Sequence, residues 1–303
     1  MSNVVVDSKL SIVIATYNRY KDLVECLISL FKMDYQPFEI IIVDSRSTDE
    51  TETVEKNYPV RYISIKEKNR QRARNVGSRL AEGNVVAFLD DDVLVHRKWS
   101  KHLLAAYKHP QIGGVGGRVI PYGMPESHYQ KVRKDDVGKI FKTGLVTGNY
   151  DIPLESPVEV DSLLGCNMSF RKDVMRKVGG FDENFSGNCF RDDTDYCVQT
   201  RKHSYKLIYQ PKALVWHKFK GKTTSPQWVY WYTRNNTYFY FKDVFSQSRL
   251  RFALFFYRMF FPPRDYVLKS GIKVKLKLTT FALALKGIMD GINVYRTTRP
   301  NSM

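Results

Sequence analysis

Val85-Val86-Ala87-Phe88-Leu89-Asp90-Asp91-Asp92 joins five apolar residues in a row to three adjacent carboxylates. The apolar run reads as a strand buried on both faces. Each further like charge at its end makes ionisation of the others harder. A divalent cation, or hydroxyls that hydrogen-bond the carboxylates, would offset that repulsion. Mg2+ and Mn2+ take one or two carboxylates and leave room for substrate phosphates. Taken alone, the triplet also reads as a solvated acidic turn.

The preceding residues weigh against the plain turn. Leu10–Ala15 and Glu39–Val43 are apolar strands, and Val60–Ile65 alternates as an edge strand. Between them lie a helix with Leu23, Leu27, Leu30 and Phe31 at helical spacing and Asn18 as its N-cap, a second helix opened by the Ser47/Glu50 capping-box spacing, and a basic helix over Gln71–Ala81. Alternating strands and helices predict a doubly wound parallel sheet, which binds ligands beyond the carboxyl ends of its strands. Three of these strands end in polar groups: Thr16-Tyr17-Asn18, Asp44 and Asp90–Asp92. There is no G-x-G-x-x-G after the first strand and no G-x-x-x-x-G-K-[ST], so dinucleotide and P-loop chemistry lack support.

Further on, Val93–Tyr107 reads as helical and Gly113–Gly117 as a close-packed strand. Pro121–Pro157 reads as a long excursion of loops, Ser162–Phe170 as a strand, and Arg171–Val178 as a short helix stopped by Gly179-Gly180. Asp192, Asp193 and Asp195 form a second carboxylate cluster at the start of a helix, where acidic groups also suit the helix dipole. Lys206–Tyr209 and Ala213–Trp216 read as strands around Pro211, the latter ending at His217.

The net charge of +17 is unevenly placed. Residues 201–303 hold 20 Lys and Arg against only Asp243, Asp265 and Asp290, and this accounts for all of it. Such asymmetry points to an anionic partner, either membrane or nucleic acid. Cys26, Cys166, Cys189 and Cys197 form no C-x-x-C pair, so buried free thiols in a reducing compartment are expected. Met1–Leu10 lacks the basic start and apolar core of a signal peptide, and no run reaches the about 20 apolar residues that span a bilayer.

The ordered set Thr16-Tyr17-Asn18-Arg19, Val43-Asp44 with Ser47 and Asp49, Ala73-Arg74-Asn75 with Gly77, Phe88–Asp92, Gly179–Glu183, Asp192–Asp195 and Pro211–His217 resembles the family 2 glycosyltransferases over roughly residues 10–220. The resemblance implies an inverting enzyme of the GT-A fold that uses a nucleotide-sugar donor, most often a UDP-sugar. It implies that Thr16, Tyr17, Asn18 and Arg19 line the nucleotide pocket with Asp44, that Arg74 faces the base or diphosphate, and that Asp90 and Asp91 belong to the donor site. Asp92, with Asp90 and His217, would hold Mn2+ or Mg2+, and Asp193 would be the general base beside Asp192. Two departures stand out. Ser45-Arg46 follow Asp44 where the family has an acid or a small residue, and Asp192 replaces the family's Glu, leaving either Asp192 or Asp193 as base.

The expected organisation is a GT-A domain over 1–220, with a nucleotide-sugar half (about 1–100) and an acceptor half (about 101–220), followed by a basic helical region over 221–303. Trp228–Phe261 holds 15 aromatics in 34 residues. Leu250–Phe261 and Leu276–Ile292 read as amphipathic helices suited to an interface plane, the first through Leu250, Ala253, Leu254 and Tyr257, the second through Phe281, Leu285, Ile288 and Ile292. The expectation is a cytoplasmic protein, peripheral on the membrane, acting on a glycan or lipid-linked acceptor. An oligomer interface, a nucleotide-sugar-binding module without chemistry, and a single-strand nucleic-acid binder are the alternatives.

Overall fold

The computed structural model describes residues 9–37, 39–123, 136–218, 225–244, 249–260 and 278–298. The apolar runs become β1 (Leu10–Thr16), β2 (Glu39–Asp44), β3 (Arg61–Ser64) and β4 (Val85–Asp90), all mutually parallel in the order β3-β2-β1-β4. Helices α1 (Tyr20–Phe31), α2 (Val54–Asn57) and α3 (Arg70–Leu80) connect them. Val85–Leu89 is buried throughout, and each such large apolar side chain contributes about 1.5–3 kcal/mol by leaving water. Gly77 lets α3 lie directly on β1, since a Cβ there would enter the Val13 side chain.

The sheet then changes character. β5 (Val93–Val95), β6 (Ile112–Pro121), β7 (Val158–Val160), β8 (Asn167–Arg171) and β9 (Lys206–His217) extend it in the order β4-β8-β6-β9-β5, with β7 on β9. β8 runs antiparallel to both β4 and β6, so the doubly wound parallel expectation holds for the first four strands and gives way to a mixed sheet. Helices α4 (Trp99–Ala105), α5 (Lys172–Val178) and α6 (Asp192–Lys202) belong to this half.

Several local expectations are corrected. Val93–Tyr107 is not one helix. Pairing of Val93–Val95 with β9 takes its first residues, and α4 starts at Trp99. Ser162–Phe170 is a strand only from Asn167. Asn18 does not cap α1. It is left-handed (φ 51°), and its side-chain oxygen accepts the Thr48 N–H at 2.7 Å, leaving Arg19 at the cap. Ser47 likewise turns away from Glu50 to donate to Asp44 and accept the Asn18 N–H, and Asp49 caps the short 3-10 turn Glu50–Thr53. β9 is one strand through Pro211, which the sheet tolerates because the β6–β9 register slips there. Gly117 sits opposite that slip, where a Cβ would collide with the Ala213 carbonyl.

The basic region folds onto residues 182–191 of the second half of the sheet domain. α7 (Pro226–Phe239) opens with Ser225 as N-cap and Pro226 at the first helical position. It runs into a π-helical turn, Tyr240–Val244, and is followed by α8 (Arg249–Phe260) and α9 (Leu278–Thr298). α9 lies against α7 through Gly287 and Gly291, whose missing side chains admit Thr233, Arg234 and Thr237. Tyr230 adds a hydrogen bond to Asp290 at 2.7 Å.

Tyr232, Tyr238, Phe239, Tyr240 and Phe255 are buried. Much of the aromatic belt is therefore core rather than a stacking surface for bases. On α8 the outer face is Leu250, Ala253, Leu254 and Tyr257, as the spacing predicts. On α9 the face divides: Ile288 turns inward, while Phe281 and Leu285 turn out with Met289. Residues 1–8, 124–135, 261–277 and the side chains of Arg249 and Arg258, on which parts of the loop, N-terminal and amphipathic-helix expectations fall, lie outside the described residues. Among the described residues no helix is long and apolar enough to cross a membrane.

Candidate active site

Strand register assembles the site. Thr16 pairs with Asp44 and Ala15 with Asp90, so the polar ends of β1, β2 and β4 come level. Leu89 pairs with Asn167, which sets Gly165-Cys166 beside Asp90. Val93 pairs with His217, which brings the imidazole back to Asp92.

The three carboxylates separate by environment. Asp91 is buried, accepts from the Thr16 hydroxyl at 2.8 Å and pairs with Arg19 at 3.1 Å. Burial pushes its pKa up to about 7 against the pull of Arg19. Asp92 pairs with Arg19 at 2.9 Å and with His217 Nε2 at 3.0 Å. Burial opposes its charge too, but the His217 hydrogen bond and the charges of His217 and Arg19 hold its pKa below the usual range. Asp90 remains partly open and pairs with Arg74 at 3.2 Å. His217 is itself buried, which disfavours its cation. The Cys166 sulfur and the Asp92 hydrogen bond outweigh this and push its pKa up to about 11.

At the nucleotide end Asp44 is buried and accepts from the Ser47 N–H, the Ser47 hydroxyl and the Tyr62 hydroxyl. The Tyr17 ring carries the Lys68 ammonium 3.6 Å from its centroid. Asn18 is exposed, and Arg46 beyond Asp44-Ser45 is left-handed (φ 66°).

Arg74 is almost wholly buried. It bridges Asp90, Asp192 at 2.9 Å and the Gly165 carbonyl at 2.9 Å. Asp192 also accepts from Gln71 at 3.0 Å and Arg70 at 3.2 Å. Both its oxygens are engaged by strong donors. Asp193, next along α6, differs in every respect. It is partly open and accepts the N–H groups of Gly165 at 2.8 Å and Thr194 at 2.7 Å. Burial of its carboxyl in the site and the adjacent Asp192 raise its pKa. A carboxylate with raised pKa, fixed by backbone donors and partly open, suits proton abstraction.

The donor set fits a divalent ion. One ligand atom each from Asp90, Cys166 and His217 lies within 4.8 Å of the others, and Asp92 is hydrogen-bonded to the same imidazole. The structure therefore brings together Thr16, Arg19, Asp90, Asp91, Asp92 and His217 in one group and Arg74, Asp192 and Asp193 in another, joined through the Arg74–Asp90 pair. Asp44, Tyr17 and Asn18 stand at the edge.

The sequence reading missed Arg70, Gln71, Gly165 and Cys166. The first two lie four and three residues before Arg74, one turn away on α3, and that basic helix start was a signal. Cys166 had none, because its neighbours in space are more than 50 residues away in the chain.

Comparison with known proteins finds glycosyltransferases among the similar chains. A glucosyl-dolichyl phosphate glucuronosyltransferase of Haloferax volcanii is 27% identical over 241 residues, covering 73% of this chain and 72% of the relative. A poly(ribitol-phosphate) beta-N-acetylglucosaminyltransferase of Staphylococcus aureus, TarS, is 33% identical over 131 residues, covering 38% of this chain and 23% of the relative. The crystal structure of TarS residues 1–349 with UDP-GlcNAc superposes with a TM-score of 0.63 at 20% identity, covering 95% of this chain and 81% of that one. The mannosyltransferase PcManGT of Pyrobaculum calidifontis, solved with GDP-Man and Mn2+, gives 0.59 at 17% identity, covering 96% and 82%. Against full-length TarS the chain spans 49% of the length. The structural likenesses show the fold, which is of the GT-A type. The family model for glycosyl transferase family 2 matches residues 11–179, more than half of the sequence, and the chain belongs to that family of glycosyltransferases.

Proposed function

We propose that the protein transfers a sugar from a nucleoside-diphosphate sugar to a hydroxyl of a glycan or lipid-linked acceptor, by one direct displacement that inverts the anomeric carbon. The observation that carries this reading is the contrast between Asp192, buried and locked by three cationic or amide donors, and Asp193, fixed by backbone N–H groups and partly open. Asp193 takes the proton of the acceptor hydroxyl as it attacks. Thr16, Tyr17, Asn18 and Asp44 bind the nucleotide, with a UDP-sugar as the first choice; TarS was solved with UDP-GlcNAc. Asp90, Asp92 and His217 hold Mn2+ or Mg2+, and such an ion supplies neutralisation of the negative charge that builds on the leaving diphosphate. Mn2+ accompanies the nucleotide sugar in PcManGT. No covalent enzyme nucleophile is needed.

A screen of nucleotide sugars that detects released nucleoside diphosphate tests the reading. Asp92→Asn should abolish transfer and weaken donor binding in Mn2+ or Mg2+, and EDTA should do the same to the wild type. Full activity of that variant, or of the wild type in EDTA, would remove the metal from the mechanism.

The acceptor is placed at an anionic membrane surface, with the protein peripheral on the cytoplasmic face. Support comes from the charge of residues 201–303 and from two exposed apolar strips, Leu250, Leu254 and Tyr257 on α8 and Phe281, Leu285 and Met289 on α9. Leu250 is 71% exposed and Met289 69%. Apolar side chains beside cations suit the headgroup region, where each Lys or Arg adds about 1 kcal/mol. The name of the Haloferax volcanii relative likewise points to a lipid-phosphate acceptor. The intact chain should float with anionic liposomes at low salt, and Leu254→Glu with Met289→Glu should keep it at the bottom of the gradient. Equal behaviour toward neutral and anionic vesicles would favour an oligomer interface instead.

A further inference from the structure

Cys166 places its sulfur beside an Asp90 carboxylate oxygen and the His217 imidazole. It is 3% exposed and precedes β8, whose first residue Asn167 is held by Trp99 Nε1 at 2.9 Å and in turn donates to the Ala213 carbonyl at 3.0 Å. The backbone carrying Cys166 is thus pinned on two sides. Its sulfur, an Asp90 oxygen and a His217 ring nitrogen all lie within 4.8 Å of one another. Tetrahedral coordination with a bond of about 2.3 Å to sulfur and about 2.0–2.2 Å to nitrogen and oxygen sets such atoms roughly 3.3–3.6 Å apart.

We infer that Cys166 is a metal ligand, and that Asp90, Cys166 and His217 form a mixed oxygen, sulfur and nitrogen site that prefers a thiophilic divalent ion, Zn2+ or Co2+, over Mg2+. Carboxylates alone suit Mg2+ and Mn2+, imidazole suits Zn2+ and its neighbours, and a thiolate shifts the preference further toward soft ions. A coordinating thiol is bound as the thiolate. Asp90 supplies the carboxylate of this set and has the most open side chain of the three, and Asp92, hydrogen-bonded to the same imidazole, stands beside it. Cys166 thereby determines which metals the centre accepts. The inference rests on the metal-dependent reading of the site only for its catalytic meaning, since binding by the free protein is a separate measurement.

The test uses full-length, metal-stripped protein without donor. Titration with Co2+ should raise a sulfur-to-cobalt charge-transfer band in the near ultraviolet, and Zn2+ should abolish it by displacement. Cys166→Ser should lose the band and about ten- to a hundredfold in Co2+ and Zn2+ affinity, with Mg2+ affinity changed less than about threefold. X-ray absorption on the Zn2+-loaded wild type needs no variant and should show a sulfur scatterer at about 2.3 Å. A wild-type spectrum with only oxygen and nitrogen scatterers, or the same cobalt band in Cys166→Ser, overturns the assignment. Metal-dependent transfer with no sulfur scatterer would sink this inference alone. A sulfur scatterer with metal-independent transfer would sink the catalytic reading and leave the site.

Discussion

Asp193→Asn will lower turnover by roughly 10²–10⁴, the range for a lost general base, with donor affinity within a few fold of the wild type. The Gly165 and Thr194 N–H groups donate to separate oxygens of Asp193, so the amide keeps one of these hydrogen bonds and loses the other, and thermal stability is measured beside turnover. Asp192→Asn behaves differently. It removes the charge that Arg70 and Arg74 share, and Arg74 is buried. Its turnover falls less, while its thermal stability falls more. A reverse order of kinetic effects would move the base to Asp192. The pH profile gives a second readout. Burial and the adjacent Asp192 raise the Asp193 pKa, and the base works only when ionised. Turnover therefore falls as pH drops through that raised value, and the acid limb lies above the range of an ordinary carboxylate. An acid limb at or below that range would contradict the assignment.

Lys242→Met will destabilise the fold by about 3 kcal/mol, the lower end for breaking a buried ion pair. The Lys242 ammonium lies 2.7 Å from both Asp182 and Asp195. Burial opposes its charge, but the two carboxylates outweigh this and raise its pKa. Burial and Asp243 raise the pKa of Asp195 well above normal, so that carboxyl can take up a proton, which keeps the loss at the lower end. Asp182 is the reverse case. Burial works against its charge, yet Lys242 and the Tyr238 hydroxyl hold its pKa below the usual value. Its contribution is present above the unfolded-state pKa and is lost as pH falls through the folded one. The deficit of the variant should thus be widest near neutral pH and shrink on acidification. Urea midpoints at several pH values measure it, and a constant deficit across that range would show that lost packing, not charge, is responsible.

The first ninety residues were legible because β1, β2 and β4 are continuous apolar runs with polar ends, and a parallel sheet aligns those ends by register. Asp193 stood out as part of a carboxylate cluster at a helix start. What distinguishes it from Asp192 did not, because that depends on Arg70, Gln71 and Arg74 from α3 and on the Gly165 N–H, all distant in sequence. The caps at Asn18 and Ser47 were misread for the same reason. Both residues have the right chemistry for a cap, and tertiary hydrogen bonds across 29 or 30 residues claim it instead. The aromatic belt was ambiguous because burial on a neighbouring half cannot be read from composition. α9 was half right: a helix between α7 and solvent has two apolar stripes, and spacing alone does not say which one faces inward.

Arg191 precedes Asp192 and Asp193 in a left-handed conformation (φ 76°), and Cys189 shares that sign (φ 54°). Non-glycine residues hold such angles only when their surroundings over-determine them. Here the surroundings are on α7: the Arg191 guanidinium donates to Asn236 at 3.0 Å and lies over the Phe239 ring. During synthesis the chain emerges from its N-terminal end, so residues 189–195 appear before the helix that constrains them and before Lys242. Until that later segment arrives, the turn is free to relax and Asp195 lacks its cation. On the proposed roles, the proton-accepting end of the site therefore matures last, after β1–β4 have all been made, and early termination should yield a donor-binding fragment before it yields an enzyme.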